Sequence, residues 1–136
     1  MYKRYILLLF SFFIFTVSCD DDWIYEDYLV NQYWEVDLYE SNSSGEPLFS
    51  VFYFAWDEYG FEEQFYDWDG ALYGRKEFNW FWSPYDRDVL ILDYARNVCF
   101  LQVWSMSRNR IEGEFYFNER DFEIGRGIQV SFYRVR

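Results

Sequence analysis

The chain has 136 residues, with 24 Asp or Glu against 12 Lys or Arg, a net charge of −12, no histidine, two cysteines, and 7 Trp, 14 Tyr and 16 Phe. The charge argues against nucleic acid and anionic lipid head groups as partners, because binding phosphates needs clustered Lys and Arg. Without histidine the chain lacks the usual general base at neutral pH, the Ser-His-Asp and Cys-His arrangements, and the commonest zinc ligand.

Lys3 and Arg4, the apolar run Tyr5 to Val17 and the small Ser18 before Cys19 give the charged, apolar and cleavage regions of a secretory signal. The run is shorter than the about 20 apolar residues a membrane span needs. Thr16-Val17-Ser18-Cys19 resembles a bacterial lipobox, with Thr16 where Leu is usual. The resemblance implies removal of residues 1–18 and a covalent lipid on Cys19; no other cofactor is expected. Each buried acyl CH₂ contributes about 0.8 kcal/mol, so two or more chains make anchoring to the membrane stable.

Asp20, Asp21 and Asp22 resemble the export signal of bacteroidete-type surface lipoproteins, which implies an outer-membrane protein facing the cell exterior. A solvated tether explains the same acids. Cleavage before Cys19 would leave 118 residues with a net charge of −14, enough for one small domain. From Asp20 to Gly74 there are 15 acids and no base, whereas Arg75 to Arg136 carries 9 acids and 10 bases. Antiparallel neighbours from the two halves are therefore expected to form cross-strand ion pairs.

The expected organisation is a signal peptide over 1–18, a lipidated acidic tether with a short helical turn over 19–32, and a β domain over 33–136. In Tyr33 to Tyr39, Trp34, Val36 and Leu38 alternate with Glu35 and Asp37, which predicts a half-buried strand. Asn42-Ser43-Ser44-Gly45-Glu46-Pro47 is a loop, and it leads to a strand over Leu48 to Trp56. Further strands are expected near Phe61 to Asp67, over Leu72 to Trp82 with Phe78, Trp80 and Trp82 on one face, over Val89 to Tyr94 and over Cys99 to Met106. Ile111 to Phe117, a polar connection over Asn118 to Gly127, and Ile128 to Val135 complete the chain. About eight short strands with frequent turn signals predict an all-β, antiparallel barrel or sandwich.

Trp34, Phe52, Phe54, Gly60, Phe78, Trp80, Leu90, Leu92, Tyr94, Ser107, Ile111 and Gly113 follow one another in an order that resembles the lipocalin-like domains of small bacteroidete lipoproteins. The resemblance covers most of the mature chain and implies a short eight-stranded up-and-down barrel. Gln32-Tyr33-Trp34 stands in place of the lipocalin Gly-x-Trp.

Asp67-Trp68-Asp69-Gly70 resembles the middle of a calcium loop, making Asp67 and Asp69 weak metal candidates. Phe65 and Lys76 occupy the positions of the outer ligands, so a plain Asp-Gly hairpin turn is the stronger reading. Glu62 and Glu63 are candidates for a carboxylate pair, but neighbours in a strand point to opposite faces, and solvated strand edges explain them equally well. With Cys19 lipidated, Cys99 is a lone thiol in a strand, expected to be buried and structural.

The aromatic excess is the remaining signal. Most rings are expected to pack the barrel, while Tyr53, Phe81, Phe100, Trp104 and Tyr116 are placed outside it as a candidate ligand or partner surface. The resulting expectation is a surface-anchored, non-enzymatic lipoprotein that binds a small hydrophobic ligand, a glycan or a partner protein. A glycan-binding accessory domain is the second reading and a two-carboxylate glycoside hydrolase the third.

Overall fold

Alternating inward and outward residues produce eight strands, and each pairs antiparallel with the next until the last returns to the first. The computed structural model describes residues 21–38, 45–46 and 48–135. The expected signal segment, Cys19, Asp20, Tyr39, the Asn42-Ser43-Ser44 turn residues and Pro47 lie outside the described residues. The elements are α1 (Asp21–Leu29), β1 (Tyr33–Val36), β2 (Leu48–Phe54), β3 (Tyr59–Tyr66), β4 (Leu72–Trp82), β5 (Val89–Asp93), β6 (Val98–Met106), β7 (Arg110–Tyr116), α2 (Glu119–Glu123) and β8 (Ile128–Val135). They form a closed, up-and-down antiparallel barrel: of the barrel or sandwich that the strand spacing allowed it is the barrel, in the order that the resemblance implied. The β1–β2, β3–β4, β5–β6 and β7–β8 connections share one end, the mouth, and α1 shares the other with the remaining turns.

Trp34, Val36 and Leu38 are buried while Glu35 and Asp37 are exposed, so the expected alternation holds although β1 itself ends at Val36. The half of the interior nearer α1 is filled by rings: Trp34, Phe52, Phe54, Phe78, Trp80 and Phe132 are all buried. Phe52 packs edge-on against Phe132 at 5.5 Å and Phe54 edge-on against Trp80 at 5.8 Å, geometries that suit the ring quadrupoles. Gly60 makes room for this packing, because a Cβ there would lie 2.4 Å from the Phe78 ring.

Two indoles fasten the same end. The Trp34 Nε1–H donates to the Leu29 carbonyl at 3.1 Å, satisfying a helix-end acceptor that would otherwise be orphaned. The Trp80 Nε1–H is shared between the carbonyls of Ala55 and Tyr59, both at 3.1 Å, which ties down the β2–β3 turn. The segment expected as a tether with one helical turn is instead helical from Asp21, and Leu29 and Val30 enter the core. The physical reason is that an apolar pair next to an open barrel end gains more from burial than from solvation.

The expected polar connection Asn118 to Gly127 contains a second helix, α2, capped by Asn118 Oδ1, which accepts from the Asp121 N–H at 2.8 Å. Across β3 and β4 the register sets Glu62 opposite Lys76 and Glu63 opposite Arg75, so the acid-rich and base-bearing halves meet where the chain crosses from one to the other.

The ring-filled interior makes a stability prediction. Phe52→Ala should cost about 3–5 kcal/mol in a urea titration, whereas Phe81→Ala, on the exposed outer face, should stay within about 0.5 kcal/mol. Equal losses would contradict this assignment of inside and outside.

Candidate functional site

Towards the mouth the interior turns polar. Ser50, Glu62 and Gln64 are buried, with Glu62 only 1 % exposed. Burying a carboxylate costs several kcal/mol unless its oxygens are satisfied. Here the Ser50 hydroxyl donates to Glu62 Oε2 at 2.9 Å, the Gln64 amide to the same oxygen at 3.2 Å, and the Tyr94 hydroxyl to Oε1 at 2.9 Å. These donors come from β2, β3 and the β5–β6 turn, so the carboxylate joins three parts of the wall. The sequence reading of Glu62 as a solvated edge residue is corrected, because the row Phe52–Glu62–Lys76 carries its side chain inward. Glu63 is only partly buried and on the opposite face, as strand alternation requires.

A cavity of about 410 Å³ opens above this cluster. Glu62, Tyr94, Cys99 and Phe117 form its wall, and Lys76, Glu77, Arg96 and Asn97 its rim. It exists because β5 pairs with β4 only from Asn79 to Trp82, while β4 continues beyond that pairing to Leu72. The closed wall is therefore notched on the mouth side. Gly74, opposite Gln64 and two residues from the rim residue Lys76, leaves the notch open on this side, since a Cβ there would meet nothing within 4 Å.

Cys99 is buried, as expected from its strand position. Burial first, and then the charge of Glu62, push its thiol up to about 12, with Lys76 opposing. The Asn97 amide donates to the Phe117 carbonyl at 2.6 Å beside it, and the thiol points to the same carbonyl at 3.5 Å. A thiol held protonated in this way is a poor nucleophile at neutral pH.

The five expected surface aromatics fall into three environments. Phe100 and Tyr116 do face outward, but α2 covers them: Phe122 stacks on Phe100 at 4.4 Å and meets Tyr116 edge-on at 5.1 Å. They are corrected from exposed surface to a small outer core, because the second helix had not been foreseen. Tyr53 is half-buried between Tyr33 at 4.9 Å and Phe61 at 5.3 Å, with the Arg75 guanidinium over the Phe61 ring. Phe81 and Trp104 are exposed, Trp104 where the β6–β7 register shifts.

The sequence reading missed the most prominent ring at the mouth. Trp68 is 70 % exposed at the β3–β4 tip, 6.0 Å from Tyr66, which in turn lies 5.5 Å from Tyr73. In the same tip Asp69 Oδ1 accepts from the Ala71 N–H at 2.9 Å and Gly70 has a positive φ, the geometry of a hairpin turn. Among the described residues no three potential ligands gather that could hold a metal with Asp67 and Asp69.

A second hollow of about 470 Å³ lies at the α1 end, lined by Asp27, Tyr28, Gln32, Arg108 and Arg134. It is a surface groove with charges of both signs and does not reach the buried polar cluster, so the mouth cavity is the better candidate site.

The Cys99 environment predicts a pH effect. A thiol whose folded value exceeds its unfolded value stabilises the fold fully below the unfolded value and progressively less as pH rises towards the folded one. Relative to Cys99→Ala, the wild type should lose stability from about pH 9 upward. Parallel stability curves for the two proteins between pH 8 and about 11 would contradict it. Comparison of the chain with family models, curated proteins and solved structures finds no match in any of the three.

Proposed function

We propose that this protein is a surface-anchored, non-enzymatic lipoprotein of the outer membrane, lipidated on Cys19, whose lipocalin-like barrel binds a ligand in the mouth cavity. The observation that carries the binding reading is the cavity itself, which reaches the buried Glu62 carboxylate between the Tyr94 and Phe117 rings. A few polar groups converging in a concave hollow with apolar walls are the usual arrangement of a small-molecule site.

The non-enzymatic reading is supported by the same geometry. Among the described residues Glu62 is the one buried charged side chain, its neighbour Glu63 faces the other way, and Cys99 is held protonated. A glycoside hydrolase needs two carboxyls about 5 to 9.5 Å apart facing one substrate, whereas the cavity's second carboxylate, Glu77, is exposed at the rim with the Tyr59 hydroxyl donating to its Oε1 at 2.8 Å.

The glycan-binding reading has a specific observation in its favour. The exposed Trp68 beside Tyr66 and Tyr73 offers apolar ring faces to sugar rings, next to the acids Asp67 and Asp69.

The two readings separate by experiment. Native mass spectrometry after incubation with a metabolite extract should find a small molecule on the wild type and not on Gly74→Trp, which fills the open side of the cavity. Retention by both, or by neither, would contradict the cavity reading. A glycan-array signal that falls roughly tenfold with Trp68→Ala and persists in Gly74→Trp would establish the glycan reading instead.

Anchoring is tested separately. A fatty-acid probe should label the wild type and not Cys19→Ala, and protease treatment of intact cells should remove the protein. Labelling of both variants would contradict lipidation, and full protection would contradict exterior display.

A further inference from the structure

The end of the barrel opposite the mouth carries rings that nothing packs. Trp56, in the β2–β3 turn, is 58 % exposed, Tyr85, in the β4–β5 turn, is 98 % exposed, and Trp104, where β6 nears its end, is 52 % exposed. Among the described residues none of the three makes a ring contact or a side-chain hydrogen bond. Trp68 at the mouth differs, because it leans on Tyr66.

The backbone around these rings is braced, so their exposure belongs to the fold. Beside Trp56 the Ala55 N–H donates to the Tyr59 carbonyl at 2.8 Å and the Tyr59 N–H to Asp57 Oδ1 at 3.3 Å. The N–H groups of Tyr85 and Asp86 both donate to the Ser83 hydroxyl oxygen, at 3.2 and 3.3 Å. The Val103 N–H donates to the Asp88 carbonyl at 2.7 Å, which sets Trp104 next to the β4–β5 turn. A single exposed ring needs no explanation. Trp and Tyr held out together at one end are the residues that settle at a membrane–water interface, with apolar body and polar tip.

The same end is where the chain leads back to Cys19. α1 lies across it: Tyr25 shares a hollow with Trp82 and Ser83 at the β4–β5 corner, and Asp27 shares the groove with Arg108 and Arg134. Cys19 precedes α1 by two residues, and Tyr25 is four residues into the helix. At about 3.6 Å per extended residue and 1.5 Å per helical one, an acyl group on Cys19 would leave the protein within about 13 Å of Tyr25.

The groove complements a head group. No described side chain pairs with the guanidinium of Arg108 or Arg134, and the carboxylate of Asp27 lines the same hollow. Two cations beside one carboxylate suit a phosphate joined to an ammonium, the charges of a zwitterionic phospholipid.

We propose that the α1 end is a lipid-facing surface that rests on a zwitterionic phospholipid leaflet, with Trp56, Tyr85 and Trp104 at head-group depth. This rests on the reading of Cys19 as the lipidated residue and adds which face of the barrel the anchor holds down. The turn acids Asp57, Asp86 and Asp88 limit the depth, because carboxylates stay hydrated. The mouth, with its cavity and Trp68, then faces away from the membrane.

The test uses the full chain as the cell processes it, reconstituted into phosphatidylcholine vesicles. Cys99 is buried, so a nitroxide can be placed on Tyr85→Cys or, separately, on Trp68→Cys. The ratio of its collisions with lipid-soluble oxygen to those with an aqueous nickel chelate should be at least threefold higher at position 85 than at 68. Changing Trp56→Ser and Trp104→Ser together should bring the ratio at 85 down to that at 68 although the lipid stays attached, because the rings and not the tether set the orientation. Equal ratios at the two positions, a higher ratio at 68, or a ratio at 85 that the double change leaves intact would overturn the proposal. The anchor is read independently by the fatty-acid probe. Labelled Cys19 with equal ratios removes the surface and leaves the anchor; unlabelled protein that floats with phosphatidylcholine vesicles only while Trp56 and Trp104 are present removes the anchor and leaves the surface; neither label nor flotation removes both.

Discussion

The mouth half of this barrel depends on the buried carboxylate of Glu62. A charge in that position is tolerable only with its oxygens satisfied, and three donors from different parts of the wall meet it. Ser50 and Gln64 are themselves buried and bond to this carboxylate, so the cluster is held together from both sides. Rings cannot replace it piecemeal, and the interior at this level stays polar. The floor of the cavity is set by that placement, and the same charge adds to the burial that keeps Cys99 protonated.

The opposite half is governed by a different constraint. The described cysteine is free, and no disulfide joins the wall, so burial of aromatic area has to supply the stability. Trp34 and Trp80 contribute twice, once as apolar volume and once as indole donors that close the α1 end. With that end sealed by Leu29 and Val30, the interior opens among the described residues at the notch between β4 and the β5–β6 turn. The mouth is then also the end where Trp68 projects, so both candidate binding features share one side of the barrel.

Much of this architecture was legible in the chain. Alternation at Trp34, Val36 and Leu38 and the Phe78-x-Trp80 spacing gave the inward faces, and turn residues gave the strand count. The polar site was not legible, for a physical reason. In Phe61-Glu62-Glu63-Gln64-Phe65 the local pattern invites the phenylalanines inward, yet closure of the sheet sets Glu62 in the same inner row as Phe52, and Phe61 is covered outside by Tyr53 and Arg75. Register in a closed barrel is decided by all the strands together, which no single strand reveals. The notch was hidden similarly, because it arises from the unequal reach of β4 and β5. The small helix α2 did leave a trace in Asn118-x-x-Asp121 followed by Phe122, a capping pattern and one apolar residue in a polar stretch. Missing it led to Phe100 and Tyr116 being read as exposed.

The interior is divided, packed with rings towards α1 and open above Glu62. A high-resolution crystal structure of the purified protein tests it most directly. Ordered water or ligand density is expected in the notch within hydrogen-bonding distance of the Glu62 cluster, and none among the rings between Trp34, Phe52 and Trp80. A notch closed by side chains with no density against Glu62, or water threading the ring-packed half, would contradict it.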